Sequence, residues 1–443
     1  MQAATTAPRA SRCERRGRPG PPTVTRSFDV AIVGGGIAGG SLACVLARGG
    51  LGVVLLERQT EYRDRVLGEG MMPWGVAEAR QAGVEEVLLG NPQGSVVLTH
   101  WLDYGIGEDP DRVEEEALAF PLSRVVPGVD GILCVRHPVA CEAFAESASR
   151  AGATVVKGAT DVEATFGATP SVSWSVNGVR ESATCRIVVG ADGKVSSMRK
   201  IASIELREGA ATSVTAGMLT GGLDGAPPTM GYSLTETDRR LISFPQAGSR
   251  SRLYVCVSIE ERTRFTGPQG IDRFLAAWDS PSLPFGSVIA NGRQDGPCGT
   301  FPLNSAFVDT PVRDGLVLIG DAAGWVDPLI GQGLAMAMRD ARTVADVLLD
   351  GADWTLNDFG AYVEERRGRL EVLALNARVQ QRLDVDFSPD FSPRRAAVTA
   401  ALYDDDVFRT LLGTQTRGPE AVDPRVFSAS ERARLNESLG VPV

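Results

Sequence analysis

Histidine is almost absent: His100 and His137 are the only two in 443 residues. A histidine-based zinc site or a Ser-His-Asp triad therefore has almost nothing to be built from, and single histidines are usually surface or satisfied core residues. The seven cysteines, Cys13, Cys44, Cys134, Cys141, Cys185, Cys256 and Cys298, are odd in number and never form a CxxC pair. That argues against a disulfide framework or thiolate metal site and for buried free thiols in a reducing cytoplasm. No apolar run reaches the length of a membrane span. Lys and Arg total 45 against 55 Asp and Glu, a net charge of −10, which speaks against nucleic acid or an anionic membrane as the main partner. Internal repeats are missing too. What remains, 43% hydrophobic and 23% charged, is the composition of a soluble globular chain, long enough for two or three domains.

The stretch from Phe28 to Glu57, FDVAIVGGGIAGGSLACVLARGGLGVVLLE, organises the rest. It reads as a strand, a tight turn, a helix and a parallel strand. Gly34 allows the sharp turn, Gly36 lets a pyrophosphate approach the backbone, and Gly39 lets the helix pack close to the sheet. Phosphate oxygens would sit on free N–H groups at the helix start, near Ile37 and Ala38, where the helix dipole favours negative charge. Glu57, followed by Arg58, closes the second strand where a carboxylate accepts from ribose hydroxyls. The unit binds an ADP moiety, with FAD or NAD fitting better than NADP because the ribose 2′-hydroxyl must be free.

Residues 1–27 are rich in Arg, Pro, Thr and Ala and lack the apolar segment of a secretory signal. A disordered tail, an organelle transit peptide and an over-long start fit them equally. After Glu57, Gly68-Glu69-Gly70 and Pro73 suggest a loop over the cofactor, then a helix from about Trp74 with Gly83 near its end. Arg65 in that loop is placed to pair with a pyrophosphate. Residues 100–130 mix acids, prolines and glycines and read as an insertion rather than sheet core.

LCVRHPVACEAFAESASRAGATVVKGA gives strand, Arg136 at the strand-to-helix switch, an amphipathic helix and another strand. From Asp161 to Cys185 the alternation predicts an antiparallel meander with a turn at Asn177-Gly178. It runs into IVVGADGKVSSMR, which puts Asp192 at the carboxyl end of a buried strand, where open α/β sheets bind ligands.

Residues 205–300 turn β-branched and aromatic, as expected for a mostly antiparallel second sheet with a helix near Ile271 to Trp278. Such a domain, facing the cofactor, is the usual place for a small-molecule pocket. GLVLIGDAAGWVDPLIGQGLAMAMRDA then returns to the first sheet: a strand to Gly320, Asp321 at its end, a loop, and a helix from about Gly333 whose N-terminus suits an anion. Beyond Trp354 an amphipathic helix and a polar tail are expected to cover the sheet and add little chemistry.

Three of these segments, GGGIAGG at Gly34 to Gly40, GADGKVSSMR at Gly190 to Arg199 and GDAAGWVDPLIGQG at Gly320 to Gly333, stand in the order seen in flavoprotein monooxygenases of the para-hydroxybenzoate hydroxylase type. The chain resembles that family over most of residues 28–380. The resemblance implies an α/β fold: a Rossmann-like FAD-binding domain (28–205 and 301–350), a substrate domain (206–300) and a C-terminal helical region (351–443). It implies FAD, with Glu57 on the adenosine ribose, Arg65 on the pyrophosphate and Arg136 on the ribityl or phosphate region. Asp192 and Asp321 would hold other parts of that chain, while Pro328, Gly331, Gly333 and Leu334 would lie beside the isoalloxazine. It also implies molecular oxygen as co-substrate, transferred to an aromatic or polyketide-like molecule by a flavin C4a-hydroperoxide. Hydroxylation and epoxidation both fit, and no acid–base residue need stand out.

NADPH or NADH would dock transiently, for there is no second GxGxxG, or a separate flavin reductase would supply electrons. By strand analogy Phe244, Gln246 and Tyr254 would face the substrate. Gly324 stands where the family often has His, and Ala335 where it often has Asn. GDAAG with its downstream Asp-Pro, and Gly68-Glu69, resemble flavin-dependent halogenases and geranylgeranyl-reductase-like proteins, so reduction of an alkene and halogenation stay open as alternatives. So does a cofactor-free binding protein on the same scaffold.

Overall fold

The computed structural model describes residues 26–91, 93–106, 108–351 and 353–443. Most of the expected tail thus lies outside the described residues, as does Cys13. Arg26 and Ser27 are not tail: they pair in parallel with Ala183 and Thr184.

The apolar runs form one six-stranded sheet in the order Val312–Arg313, Leu316–Leu318, Ile187–Gly190, Val30–Val33, Val53–Glu57, Thr154–Lys157. All pairs are parallel except the first. Period-two alternation sends successive side chains to opposite faces, which is why these strands are apolar throughout. Val30, Ile32, Val53, Leu55, Ile187 and Val189 pack under the helices Ile37–Arg48, His137–Arg150 and Gly333–Asp350. Ala31, Val33, Val54, Leu56 and Val188 pack against Val172, Trp174 and Ala183 of a four-stranded layer on the other side. That layer is the expected meander, closed at Asn177 (φ 51°) and Gly178 (φ 79°). The chain leaves Val30–Val33 in one direction and returns on its other side as Ile187–Gly190, making a switch point between those two strands.

The second sheet runs Arg293–Leu303, Ser213–Gly221, Arg250–Ser258, Arg240–Gln246, Met230–Thr235, His100–Gly105. Its last strand corrects the insertion reading of residues 100–130: His100–Gly105 pairs in parallel with Met230–Thr235. Leu102 and Tyr104 are buried on one face, an alternation masked in the sequence by the aromatic Trp101 on the other. That face is covered by the helices Pro110–Ala119, Gly270–Ala276 and Gly286–Ala290. The opposite face meets the first domain across a cluster containing Met72, Trp74, Phe244, Tyr254, Ile330 and Leu373. The helix Gly360–Val385 joins that cluster and leads into a C-terminal group, Arg395–Asp404, Asp406–Arg417 and Ala429–Leu439, with a core of its own. Among the described residues no helix is long and apolar enough to cross a membrane.

Candidate functional site

The glycine turn divides its work between filled and open positions. Gly34 takes φ 110°, and a Cβ there would collide with the Ala191 carbonyl and lie 2.8 Å from Asp192 Cα. Gly39 backs onto the Gly34 carbonyl just as closely, so helix and strand touch through bare backbone. Around Gly36, by contrast, a Cβ would meet nothing within 4 Å. The helix Ile37–Arg48 starts at that opening, with Ala38 in its first turn and no side chain capping it. Beside it, Glu57 Oε2 accepts from Gly35 N at 2.9 Å and Oε1 from Gln59 N at 2.7 Å, while the Tyr62 hydroxyl donates to Gly35 O. These bonds fix the carboxylate against the turn and leave it lone pairs for a ribose.

Asp192 and Asp321 both come to this edge. Asp192 adjoins Gly34, and a Cβ on Gly320 would lie 3.0 Å from that of Ala38. The three motif segments therefore meet at the switch point. Asp192 Oδ2 accepts from Ser197 N, Ser197 Oγ and Met198 N, and Oδ1 from Ser196 Oγ. The Asp321 carboxylate has no hydrogen bond or ion pair among the described residues, and burial pushes it up, against the pull of Lys194 and Arg366.

The turn that carries Asp321, Gly320–Ala323, is held from beneath. Arg366 donates to the carbonyls of Gly320, Ala323 and Gly324, and Arg199 to that of Ala322. Asp340 accepts from Gly320 N at 2.8 Å and pairs with Arg366 and Arg369. Burial alone would raise Asp340, but the two guanidinium groups outweigh it and hold the carboxyl below its usual range. Gly324 follows at φ 101°, 2.5 Å from the Ala306 carbonyl by its would-be Cβ. A histidine has no place at such a position, which accounts for that departure from the family pattern.

Pro328 opens a short turn capped by Asp327, and Gly331 closes it in the left-handed region at φ 64°. Gln332 is locked by Trp74 Nε1 at 2.9 Å and by its own bond to Ile330 O. From Gly333, again with open space at its would-be Cβ, the helix Gly333–Asp350 begins without a side-chain cap. Leu334 is partly buried there. Ala335 backs onto Gly75, whose would-be Cβ lies 2.5 Å from its own, so an asparagine would have little room.

On the facing sheet Phe244 lies against Gly70 and stacks with Trp101 at 5.3 Å and Tyr254 at 6.2 Å between ring centres. The Tyr254 hydroxyl is bound to Leu67 O. Gln246 is buried with its Nε2 unpartnered, at the edge of a cavity of about 500 Å³ between segments 95–97, 223–229 and 245–251.

Between Phe244 and the loop lies a buried ion pair that the sequence did not announce: Arg252 to Glu69 at 3.0 Å and to Asp64 at 2.6 Å, with Glu69 Oε1 also accepting from His137 N. Burial raises Glu69 against Arg252's pull, and burial, then Arg65, lowers His137 to about 4. Arg65 and Arg58 are exposed, neither with a hydrogen bond or ion pair among the described residues. Arg136, at the cap of its helix, donates to Gln93. Among the described residues no hydrogen bond or ion pair ties these three arginines to the glycine turn. The C-terminal helix, expected to add little, supplies Arg366 and Arg369. Its only signal was that Arg366 and Arg369 in EERRGR, three positions apart, share the helix face of Leu370 and Leu373.

A family model described as FAD binding domain matches residues 27–371. Digeranylgeranylglycerophospholipid reductase 2 of Methanothermobacter thermautotrophicus is 29% identical over 74% of this chain and 79% of its own length. Squalene monooxygenase SE1 of Panax ginseng is 23% identical over 74% of this chain. The chain spans 60% of that relative and 57% of the mouse squalene monooxygenase. In structure, the anhydrotetracycline hydroxylase OxyS of Streptomyces rimosus superposes with a TM-score of 0.67 at 20% identity, over 88% of this chain and 76% of that one.

Proposed function

Because the chain belongs to the FAD binding domain family, we propose that it is an FAD-dependent monooxygenase that hydroxylates or epoxidises a small organic molecule. One observation carries the reading: open backbone at Gly36, the fixed Glu57 and the unpartnered Asp321 share one edge of the parallel sheet, facing an apolar cluster of the second sheet. The donor set suits FAD. The uncapped helix at Ile37 and Ala38 would take the pyrophosphate, with Arg65 and Arg58 closing over it from the solvent side, and Glu57 the adenosine ribose. Asp321 and Arg136 would hold the ribityl chain. Asp192, its oxygens taken by its own loop, would shape the cofactor site. Pro328, Gly331, Gly333 and Leu334 would line the ring, with the uncapped N–H groups at Gly333 stabilising negative charge on it.

Bound FAD supplies the redox chemistry and the activation of oxygen. The protein's share is positional. Phe244, Tyr254, Trp101 and Met72 exclude water and offer an apolar wall, and Gln246 an amide for orienting the substrate. We take electrons to come from NADPH or NADH, docking transiently or through a separate flavin reductase, and place the protein in the cytoplasm on its buried free thiols.

The reductase relative favours a second reading, reduction of an alkene on the same frame. NAD(P)H oxidation that requires both substrate and oxygen supports the monooxygenase; turnover without oxygen overturns it in favour of the reductase.

A further inference from the structure

Two arginines, Arg199 and Arg366, and one aspartate, Asp340, hold the Gly320–Ala323 turn, and Arg366 comes from the C-terminal helix Gly360–Val385, where Arg369 pairs with the same aspartate. Arg366 is fully buried. Its Nη1 donates to Ala323 O at 2.7 Å, its Nη2 to Gly324 O at 3.0 Å and Gly320 O at 3.3 Å, and its Nε to Asp340 at 3.2 Å. Every N–H-bearing nitrogen of the guanidinium is thus spent on this turn or on the carboxylate that holds its first amide. The Asp321 carbonyl takes the Gly324 N–H within the turn. With the backbone tied inward at both ends, the Asp321 carboxylate is the one side-chain group of the turn left for a ligand.

We propose that Arg366 is a positioning residue for the cofactor, coupling the docking of the C-terminal helix to FAD binding. The inference rests on the FAD reading above. If the helix moves away, three carbonyls lose their donor and the turn can relax, so Asp321 no longer holds one direction. By linkage, a ligand that binds the ordered turn must then favour the docked helix. Arginines that merely filled a core would stabilise the apoprotein and the FAD-loaded protein alike, with no such coupling.

The test uses the full chain. Amide exchange is followed with and without FAD, comparing residues 360–385 with Gly270–Ala276, a helix on the far face of the second sheet. FAD is expected to slow exchange in 360–385 more than in 270–276, a measurement that needs no variant. Separately, Arg366→Met is expected to weaken FAD binding about thirtyfold, read by flavin fluorescence on the apoprotein, with Arg366→Lys intermediate. Should Arg366→Met fail to fold, Arg199→Met, which removes the bond to Ala322 O from the other side, is expected to weaken FAD while leaving the FAD-dependent protection of 360–385 in place. Equal slowing in both helices, or FAD affinity within twofold of the unsubstituted protein in a folded Arg366→Met, overturns the coupling alone. An unsubstituted protein that takes up no FAD overturns this inference and the cofactor reading together.

Discussion

Asp192 and Asp321 follow neighbouring, hydrogen-bonded strands of one parallel sheet, each within two residues of a glycine, and they meet opposite fates. Asp192 accepts four hydrogen bonds from the five residues after Gly193 and is in effect the cap of its own loop. The Asp321 carboxylate accepts none among the described residues, because its turn is satisfied from below by arginines that never reach it. A motif aspartate at a strand end is therefore two different things: a fastener where serines follow, as Ser196 and Ser197 do, and a free carboxylate, on the proposed reading a ligand for FAD, where only Ala322 and Ala323 follow.

The contrast is most exposed to failure at Asp321. Asp321→Ala should weaken FAD by about a hundredfold, since a charge-assisted hydrogen bond is lost, yet leave the apoprotein's urea midpoint unchanged or raised. An unaltered FAD affinity would remove the distinction. Asp192→Ala should do the reverse and cost the apoprotein about 2 kcal/mol in urea unfolding, with FAD affinity affected less than in the first variant.

A similar division runs through the glycine turn. Gly36→Val, entering open space, should weaken FAD about tenfold at unchanged apoprotein stability, whereas a side chain at Gly39 would strike the Gly34 carbonyl and lower stability itself. The smallest effect belongs to a third aspartate. Asp327 is raised to about 6 by burial, even though Leu329 N and Gln381 donate to it. A folded-state value above the unfolded one means that the native state holds the proton more tightly. The stabilisation is complete below the unfolded value and lost as pH rises through 6. Between pH 5 and pH 7 stability should fall by about 1 kcal/mol on this account, and Asp327→Asn should flatten that slope.

Local signals carried much of this fold. The strand–turn–helix of 30–48, the Asn177-Gly178 hairpin and the helix after Gly331 each announce themselves within a dozen residues. What escaped depends on partners far away in the chain. Arg252 and Glu69 are 183 positions apart, and Arg366 reaches back more than 40 residues to its carbonyls. Their spacing alone looks like solvated charge, and only burial reveals otherwise. His100–Gly105 was hidden the same way: its neighbour in the sheet lies 130 positions downstream, and Trp101, packed on Phe244 from the second face, broke the apolar–polar alternation. Gly324 and Ala335, departures from the family pattern, are simple consequences of contacts with Ala306 and Gly75.

The bond between Arg252 and the 64–69 segment changes which pieces of the molecule can travel together. Shearing that segment from the second sheet would strand a guanidinium or a carboxylate in a dry interior, at roughly 3–5 kcal/mol for the broken pair. The stretch is at the same time bonded to the first domain, through Glu69 to His137 N and through Gly70 to Cys134, so it acts as a clasp between the two, and any opening of the cleft must break one of these two sets of bonds.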